Sequence, residues 1–433
     1  MHLGIHPQSL LRAEPQAALW FQRQSAETLE LDTEGLRVLQ KILQGSRWIG
    51  LRGWLFRNYL LARGFLQPLS GESPAAQQQV AELIRLSEHI QAPLRARSAP
   101  EVLHISLTDA CQQRCAGCFF SNQSSQPNQY FAFEAFQALT ARAVKACVFQ
   151  LALGGGEPLM HPRLLEMVRH AHRSGLVVNL TSNGGLLTPL KARQLVQAGL
   201  SQIQFSLAGA DAASHGRVRP GFEALAPAMG ACREAGLRWG MNVLVTAQNL
   251  SELDDMLAWL SAQGAYSVNI IRPKPSQMEP DWLAQNLPDA AQNRQLATVL
   301  QRWQRKGRFL LLTDTSLSFL RRADADRLYR NGVAGCSAGR RMLSVQVDGR
   351  VSPCSHIPLS DTIEAGDFMQ AWWASEHLER FRRLEETLQG ACADCELKSV
   401  CRGCRAVVWQ QTGNFDGEDL QCPKRLSTFY SPS

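Results

Sequence analysis

No apolar run in this 433-residue chain approaches the ~18 residues that a membrane-spanning helix requires. Met1 to Arg12 lacks the charged start, apolar core and small-residue cleavage site of a signal peptide, so a cytoplasmic protein is expected. No segment is a dense basic run. The formal charge of +7 is spread over many arginines, which reads as solubilising surface charge and predicts neither a nucleic-acid nor a membrane partner. What the chain does have in number is cysteine, twelve in all. In a reducing compartment metal binding is a better default for them than disulfides. The apolar content of 45% is that of a folded protein, and at ~100–200 residues per domain the length allows two to four domains.

Residues 1–75 read as one unit. Ala17–Gln22 and Thr28–Asp32 are expected as strands around the polar turn Ser25-Ala26-Glu27. Thr33 is expected to cap a helix in which Leu36, Leu39, Ile42 and Leu43 recur at helical spacing. A second helix is expected from Leu51 to Arg63, stopped by Gly64, with Phe65-Leu66 returning as a strand. Strands, helices and a final strand describe a winged-helix-like module. Residues 76–99, rich in Ala, Gln and Arg, read as a linker helix.

Residues 100–315 alternate strand and helix. The apolar runs Val102–Thr108, Val148–Leu153, Leu176–Thr181, Gln202–Leu207, Gly240–Val245 and Val268–Ile271 are separated by helical stretches. The spacing suits βαβ units. Six of them make an α/β fold of the partial (β/α)6 TIM-like barrel kind, whose chemistry lies at the C-terminal strand ends. Residues 316–433 hold seven cysteines and few helix signals, as expected of a metal-organised domain.

Cys111, Cys115 and Cys118 follow the first barrel strand directly, spaced C-x3-C-x2-C. Three thiolates on one loop can hold three irons of a [4Fe–4S] cube and leave the fourth open to a chelating molecule. A zinc loop is the competing reading, but it would not predict Gly155-Gly156-Glu157-Pro158 at the end of the next strand.

The conjunction resembles the radical S-adenosylmethionine (radical SAM) superfamily. The resemblance implies that S-adenosyl-L-methionine chelates the open iron and is cleaved reductively to a 5′-deoxyadenosyl radical. It implies further that Gly155, Gly156 and Glu157 meet the methionine amine, that Thr181, Ser182, Asn183 and Ser206 meet the ribose and carboxylate, and that Asn242 and Leu244 line the adenosine pocket. The family usually carries an aromatic residue just before the third cysteine. Here that position is Gly117, with Phe119 and Phe120 as candidate substitutes.

The C-terminal cysteines run Cys336-x12-Gly349-x4-Cys354, then Cys392-x2-Cys395-x5-Cys401-x2-Cys404, then Cys422. This resembles the SPASM domain, which carries two auxiliary [4Fe–4S] clusters; alone, the pattern would equally suit structural zinc. The resemblance assigns Cys336, Cys354 and Cys404 to one auxiliary cluster and Cys392, Cys395, Cys401 and Cys422 to the other. The last spacer of the quartet is two residues where three are usual. No further cysteine stands just upstream to complete the first cluster, and His356 is a conceivable ligand. Gly349 fits a hairpin. Cys147 and Cys232 read as packing residues, or as a hydrogen-atom donor.

Leu-Asp-Thr-Glu-Gly at 31–35 and Ala-Arg-Gly-Phe-Leu at 62–66 resemble the RiPP recognition element, a leader-peptide binder. The expected enzyme is therefore a radical SAM oxidoreductase that crosslinks a precursor peptide of leader and core by a C–C or thioether-type bond. Its auxiliary clusters accept the electron, and flavodoxin or ferredoxin supplies the reductant. Arg272 and Lys274 are expected to bind a carboxylate. Oxidation of a small molecule, sulfatase-type maturation and peptide epimerisation are the alternatives. Ser355 after Cys354, where sulfatase maturases carry an acid, weighs against the second. A zinc-containing nucleic-acid regulator would need a polar recognition helix, and Leu51–Arg63 is apolar with three arginines.

Overall fold

The computed structural model describes residues 2–15, 17–46, 48–90, 92, 95–118, 129–275, 280–321, 324–330, 333–362 and 367–425. It divides into two compact units, Met1–Glu101 with Ala143–Phe149, and Val102–Arg142 with Gln150–Ser433.

The first unit begins with β1 (His2–Ile5), β2 (Ser9–Glu14), β3 (Ala17–Gln22) and β4 (Glu27–Asp32). These are followed by α1 (Thr33–Leu43), α2 (Gly50–Ala62), β5 (Leu66–Leu69) and α3 (Pro74–Ser87). Strands β2, β3 and β4 form an antiparallel sheet with β3 central, and β1 pairs with β5. The first two strands were not foreseen. Asp32, not Thr33, caps α1, its carboxylate accepting from Gly35 N at 2.7 Å, because the carboxylate one residue earlier reaches the first free amides. The α1 stripe Leu36, Leu39, Ile42 and Leu43 packs with Trp20, Leu60 and Phe65 in one core. Helix α3, in the segment expected as a linker, buries Ala76, Val80 and Leu83 in that same core.

The second unit is built on a nine-stranded sheet of order β12-β11-β10-β9-β8-β7-β6-β13-β14. Its strands are β6 (Val102–Thr108), β7 (Gln150–Gly155), β8 (Val177–Thr181), β9 (Gln202–Leu207), β10 (Trp239–Leu244), β11 (Ser267–Ile271), β12 (Leu310–Thr313), β13 (Met342–Val345) and β14 (Val351–Ser352). Strands β6 to β12 are parallel neighbours in sequence order, seven where six were expected. The additional one, β12, is four residues long and lies at the sheet edge. Strand β13 pairs parallel with β6 on the opposite flank and turns through Gly349 (φ 84°) into β14.

Helices α4 (Phe133–Lys145), α5 (Leu164–Arg173), α6 (Pro189–Ala198), α7 (Ala212–Gly216), α8 (Leu225–Ala235), α9 (Leu253–Ala262), α10 (Pro280–Asn286) and α11 (Ala290–Lys306) connect the strands. Helices α12 (Ala325–Arg330), α13 (Phe368–Ala374), α14 (Glu376–Arg382), α15 (Leu384–Thr387) and α16 (Arg405–Thr412) follow. Alternation along the strands sorts the side chains. Leu103, Ile105, Leu151, Leu153, Val178, Leu180, Ile203, Phe205, Val243 and Ile270 are buried. The alternate face is polar and partly open, with rows in register: Thr181, Gln204, Gly240 and Ser267, then Ser206, Asn242 and Asn269. Among the described residues no helix is long and apolar enough to cross a membrane.

Candidate iron–sulfur and S-adenosylmethionine site

The loop after β6 carries Cys111, Cys115 and Cys118, all half-buried. Its ends are tied: Thr108 Oγ1 donates to Gln129 O (2.6 Å) and Asp109 Oδ1 accepts from Gln129 N (2.7 Å). Phe119, Phe120 and most of Ser121–Tyr130 lie outside the described residues. The end of β7 grips the loop from the other side. Gly156 N donates to Thr108 O and Glu157 N to Ala110 O, both at 2.7 Å. A Cβ on Gly155 would come 2.3 Å from Thr108 O, and one on Gly156 2.3 Å from Ala110 O. Both glycines are thus required by the close approach of the cysteine loop's own backbone.

The Glu157 carboxylate is fully buried. It accepts from Leu159 N (3.0 Å), Ser182 Oγ (2.8 Å) and Asn183 N (2.8 Å). Burial raises its pKa against the pull of these donors. Glu157 and Ser182 therefore brace the ends of β7 and β8 against each other. Asn183 bridges to the cysteine loop: its Nδ2 lies 3.8 Å from Cys111 Sγ, and Gln112 Nε2 donates to its Oδ1 at 3.0 Å. Thr181 is exposed. Ser206 and Asn242 are register neighbours on the open face, with Leu244 two residues further along β10.

Two residues at this site escaped the sequence reading. Arg219, in the segment after α7, points its Nη2 at Cys115 Sγ (3.8 Å), and the neighbouring Val218 O accepts from Ala116 N (2.8 Å). Its guanidinium also favours the charged forms of Cys111 and Glu157. Trp282 of α10 lies against Gly117: a Cβ there would fall 2.1 Å from the indole Cε3. An aromatic ring from a distant helix thus fills the space that the missing side chain at 117 leaves. Neither contact has a local signal, since each joins segments far apart in sequence.

The C-terminal thiols form two groups. Cys336, Cys354 and Cys404 share an apolar cluster with Leu283 of α10, Leu287 just after it, and Phe381. Burial pushes the Cys354 thiol up to about 12, and Cys336 and Cys404 act on it as near neighbours. Cys392, Cys395, Cys401 and Cys422 line one cavity of about 250 Å³. There the Cys401 and Cys422 thiols are also pushed up to about 12 by burial, each under the influence of the other thiols. Among the described residues, no three His, Cys, Asp or Glu side chains close around a single ion. Seven sulfur donors in two groups, one of them a four-thiol cavity, fit iron–sulfur clusters, whose binding displaces the thiol protons. His356 faces Lys274, Asp314 and His104. Cys232 is buried on α8, its thiol pushed up to about 12. Cys147, at φ 53°, accepts Arg12 Nη1 on its carbonyl (3.1 Å).

The expectation that Arg272 and Lys274 bind a free carboxylate is overturned by their internal partners. Arg272 is buried and forked onto Asp419 (2.8 and 3.3 Å), with Gln421 Oε1 at 3.1 Å. Lys274 Nζ is held by Asp314 (2.6 Å) and Ser316 Oγ (2.9 Å), with Cys404 Sγ at 3.8 Å.

Comparisons with known proteins agree with this site. The model of the radical SAM superfamily matches residues 105–260, and that of the SPASM iron–sulfur cluster-binding domain matches 336–396. An AdoMet-dependent heme synthase of Methanosarcina barkeri is 29% identical over 75% of this chain and 97% of that protein. The mycofactocin maturase MftC of Mycolicibacterium smegmatis is 29% identical over 76% of this chain and 84% of its own. In fold, the chain resembles Streptococcus suis SuiB, solved with S-adenosylmethionine and with its precursor peptide SuiA. The TM-score is 0.71 at 16% identity, covering 97% of this chain and 99% of that one. The clamped cysteine loop, the paired C-terminal thiol groups and both domain matches lead to one conclusion: this chain is an enzyme of the radical SAM superfamily with a SPASM domain, and its cofactors are S-adenosyl-L-methionine and [4Fe–4S] clusters.

Proposed function

We propose that the chain is a peptide maturase that oxidatively crosslinks a ribosomally made precursor. When bound, its cofactors supply hydrogen-atom abstraction and take up the electron left on the substrate. In this reading Cys111, Cys115 and Cys118 hold the first cluster. Gly155, Gly156 and Glu157 offer backbone groups to S-adenosylmethionine, Thr181, Asn183, Ser206, Asn242 and Leu244 surround its nucleoside side, and Arg219 sits where a carboxylate is met. Cys336, Cys354 and Cys404 hold one auxiliary cluster, and the four-thiol cavity holds the other. A cytoplasmic location with flavodoxin or ferredoxin as reductant belongs to the same reading.

The observation that carries the peptide substrate is the first unit. Its sheet ends on an edge strand, β4, most of whose residues are half-buried or exposed. Trp48 is 91% exposed, and Leu51 and Leu55 of α2 are exposed beside it. An edge strand with apolar anchors nearby suits β-augmentation by a leader peptide, and tethering the leader raises the local concentration of the core. A winged-helix-like recognition module is the corresponding reading of this unit. The likeness to mycofactocin maturase and SuiB supports it. The likeness to a heme synthase favours a second reading, oxidation of a small molecule.

The chain purified anaerobically from its native host, beside a form lacking residues 1–75, distinguishes the two by mass spectrometry. A small peptide retained by the full chain only, about two mass units lighter than its encoded mass, is expected for a crosslinking maturase. A retained peptide of unchanged mass would replace crosslinking by epimerisation. No peptide with either form, together with turnover of a tetrapyrrole, would replace the peptide reading.

A further inference from the structure

Arg405 opens α16 directly after Cys404, with none of its surface exposed. Its Nη1 donates to Phe415 O (2.9 Å) and Gly417 O (2.7 Å). Its Nε and Nη2 are buried and have no hydrogen-bond partner among the described residues. The guanidinium acts on Cys336 in one thiol group and on Cys392 in the other, as well as on Asp419. Arg402 and Gly403 alone separate Cys401 of one group from Cys404 of the other, so Arg405 follows directly on the segment that joins them. The chain makes room for it: Gly403 has φ 62°, and a Cβ there would fall 2.7 Å from Arg405 Nη2 and 2.8 Å from Asp419 Cβ.

The nearby acidic partner is already engaged. Asp419 accepts both nitrogens of Arg272 and the Cys404 amide (3.0 Å). The neighbouring Arg402, also buried, is spent on fastening loops: it donates to the carbonyls of Ser399, Ala334 and Cys336 and to Glu385. Arg405 alone of these cations keeps a two-nitrogen edge unspent. A buried cation with unmade hydrogen bonds costs several kcal/mol unless an anion accepts them. An iron–sulfur cluster, with thiolate and sulfide acceptors and a net negative charge, has the chemistry this edge requires.

We propose that Arg405 hydrogen-bonds through Nε and Nη2 to an auxiliary [4Fe–4S] cluster and raises its reduction potential, making it a positioning residue for the electron acceptor. The inference rests on the auxiliary ligand assignment given above. A cation beside the cluster stabilises the reduced, more negative state, and N–H donors to sulfur act in the same direction.

The test is a reductive titration of the anaerobic full-length chain followed by EPR, with iron and sulfide counted, for wild type, R405Q and R405M. Expected are unchanged iron and one auxiliary signal that develops at lower potential, about 59 mV lower if the one-electron equilibrium moves tenfold. Equal potentials in all three overturn the proposal. Should neither neutral variant keep its iron, R405K decides, because it retains the charge and loses the planar fork. A lowered potential with an altered EPR signal supports the proposal, and an unchanged signal overturns it. Iron for a single cluster in the wild type would overturn the ligand assignment together with this inference; full iron with unmoved potentials overturns the inference alone.

Discussion

At the scale of single residues, Arg272 and Lys274 beside the thiols are engaged by protein partners. Lys274 spends its ammonium on Asp314, Ser316 and the Cys404 thiol. Against burial, which raises it, Lys274, the Ser316 amide and His356 together hold the Asp314 carboxyl down to about 2 from 3.8. A carboxylate depressed in the folded state contributes stability that is fully present above its unfolded pKa, near 4, and is lost as pH falls through about 2. The shift corresponds to about 2 kcal/mol at neutral pH. Asp314→Asn is expected to cost at least that at pH 7, since it strands a buried lysine. Its deficit against wild type should shrink between pH 4 and pH 2, as read by denaturant unfolding of the apoprotein at each pH.

Residues also mark the limit of what the sequence discloses. Cys111, Cys115 and Cys118 are legible because three cysteines fall within eight positions, and Gly155 and Gly156 because a strand end announces them. Arg219, Trp282 and Arg405 are not, since their partners are brought in by tertiary packing. Arg272 and Lys274 misled for the same reason: a basic pair at a strand end reads as open until Asp419 and Asp314 are seen to fill it.

At the scale of elements, apolar runs identified six barrel strands because alternate residues of each pack beneath helices. Strand β12, with four residues at an edge, and β1 and β2, short and separated by tight turns, give too little periodicity to stand out. A buried fork, Arg272 on Asp419, with side-chain exposures of 3% and 1%, connects the end of β11 to the C-terminal cysteine loops. Removing one partner leaves the other's charge buried. Asp419→Ala is therefore expected to destabilise the second unit by about 3–5 kcal/mol. The double variant with Arg272→Met should recover part of that loss, giving a coupling term measurable by a denaturation double-mutant cycle. Additive losses would show that the fork does not join the two elements. Helix α10 makes another connection: Trp282 covers Gly117 beside Cys118, while Leu283, with Leu287 just after the helix, enters the core that holds Cys336, Cys354 and Cys404.

At the scale of the whole molecule, ten of the twelve cysteines fall at three places in the second unit. Changing Cys111, Cys115 and Cys118 together to Ala is expected to abolish 5′-deoxyadenosine formation from S-adenosylmethionine while about eight irons per chain remain, four for each auxiliary cube. Chromatography of the nucleoside and colorimetric iron counting read the two quantities separately. Deoxyadenosine from the triple variant would contradict the assignment of the first cluster.

The pairing of β13 with β6 also bears on how the protein is made. Val102 lies against Met342 and Ile105 against Val345, so one flank of the first barrel strand stays bare until nearly the whole barrel has been synthesised. A strand edge without its neighbour is a template for pairing with other chains, and a contact spanning so much sequence forms late. During translation the nascent barrel therefore carries an open seam that only the cysteine-rich C-terminal region can cover. A ribosome stalled after β12 would release a chain prone to self-association, and slow maturation of the last hundred residues would be felt as insolubility of the first three hundred.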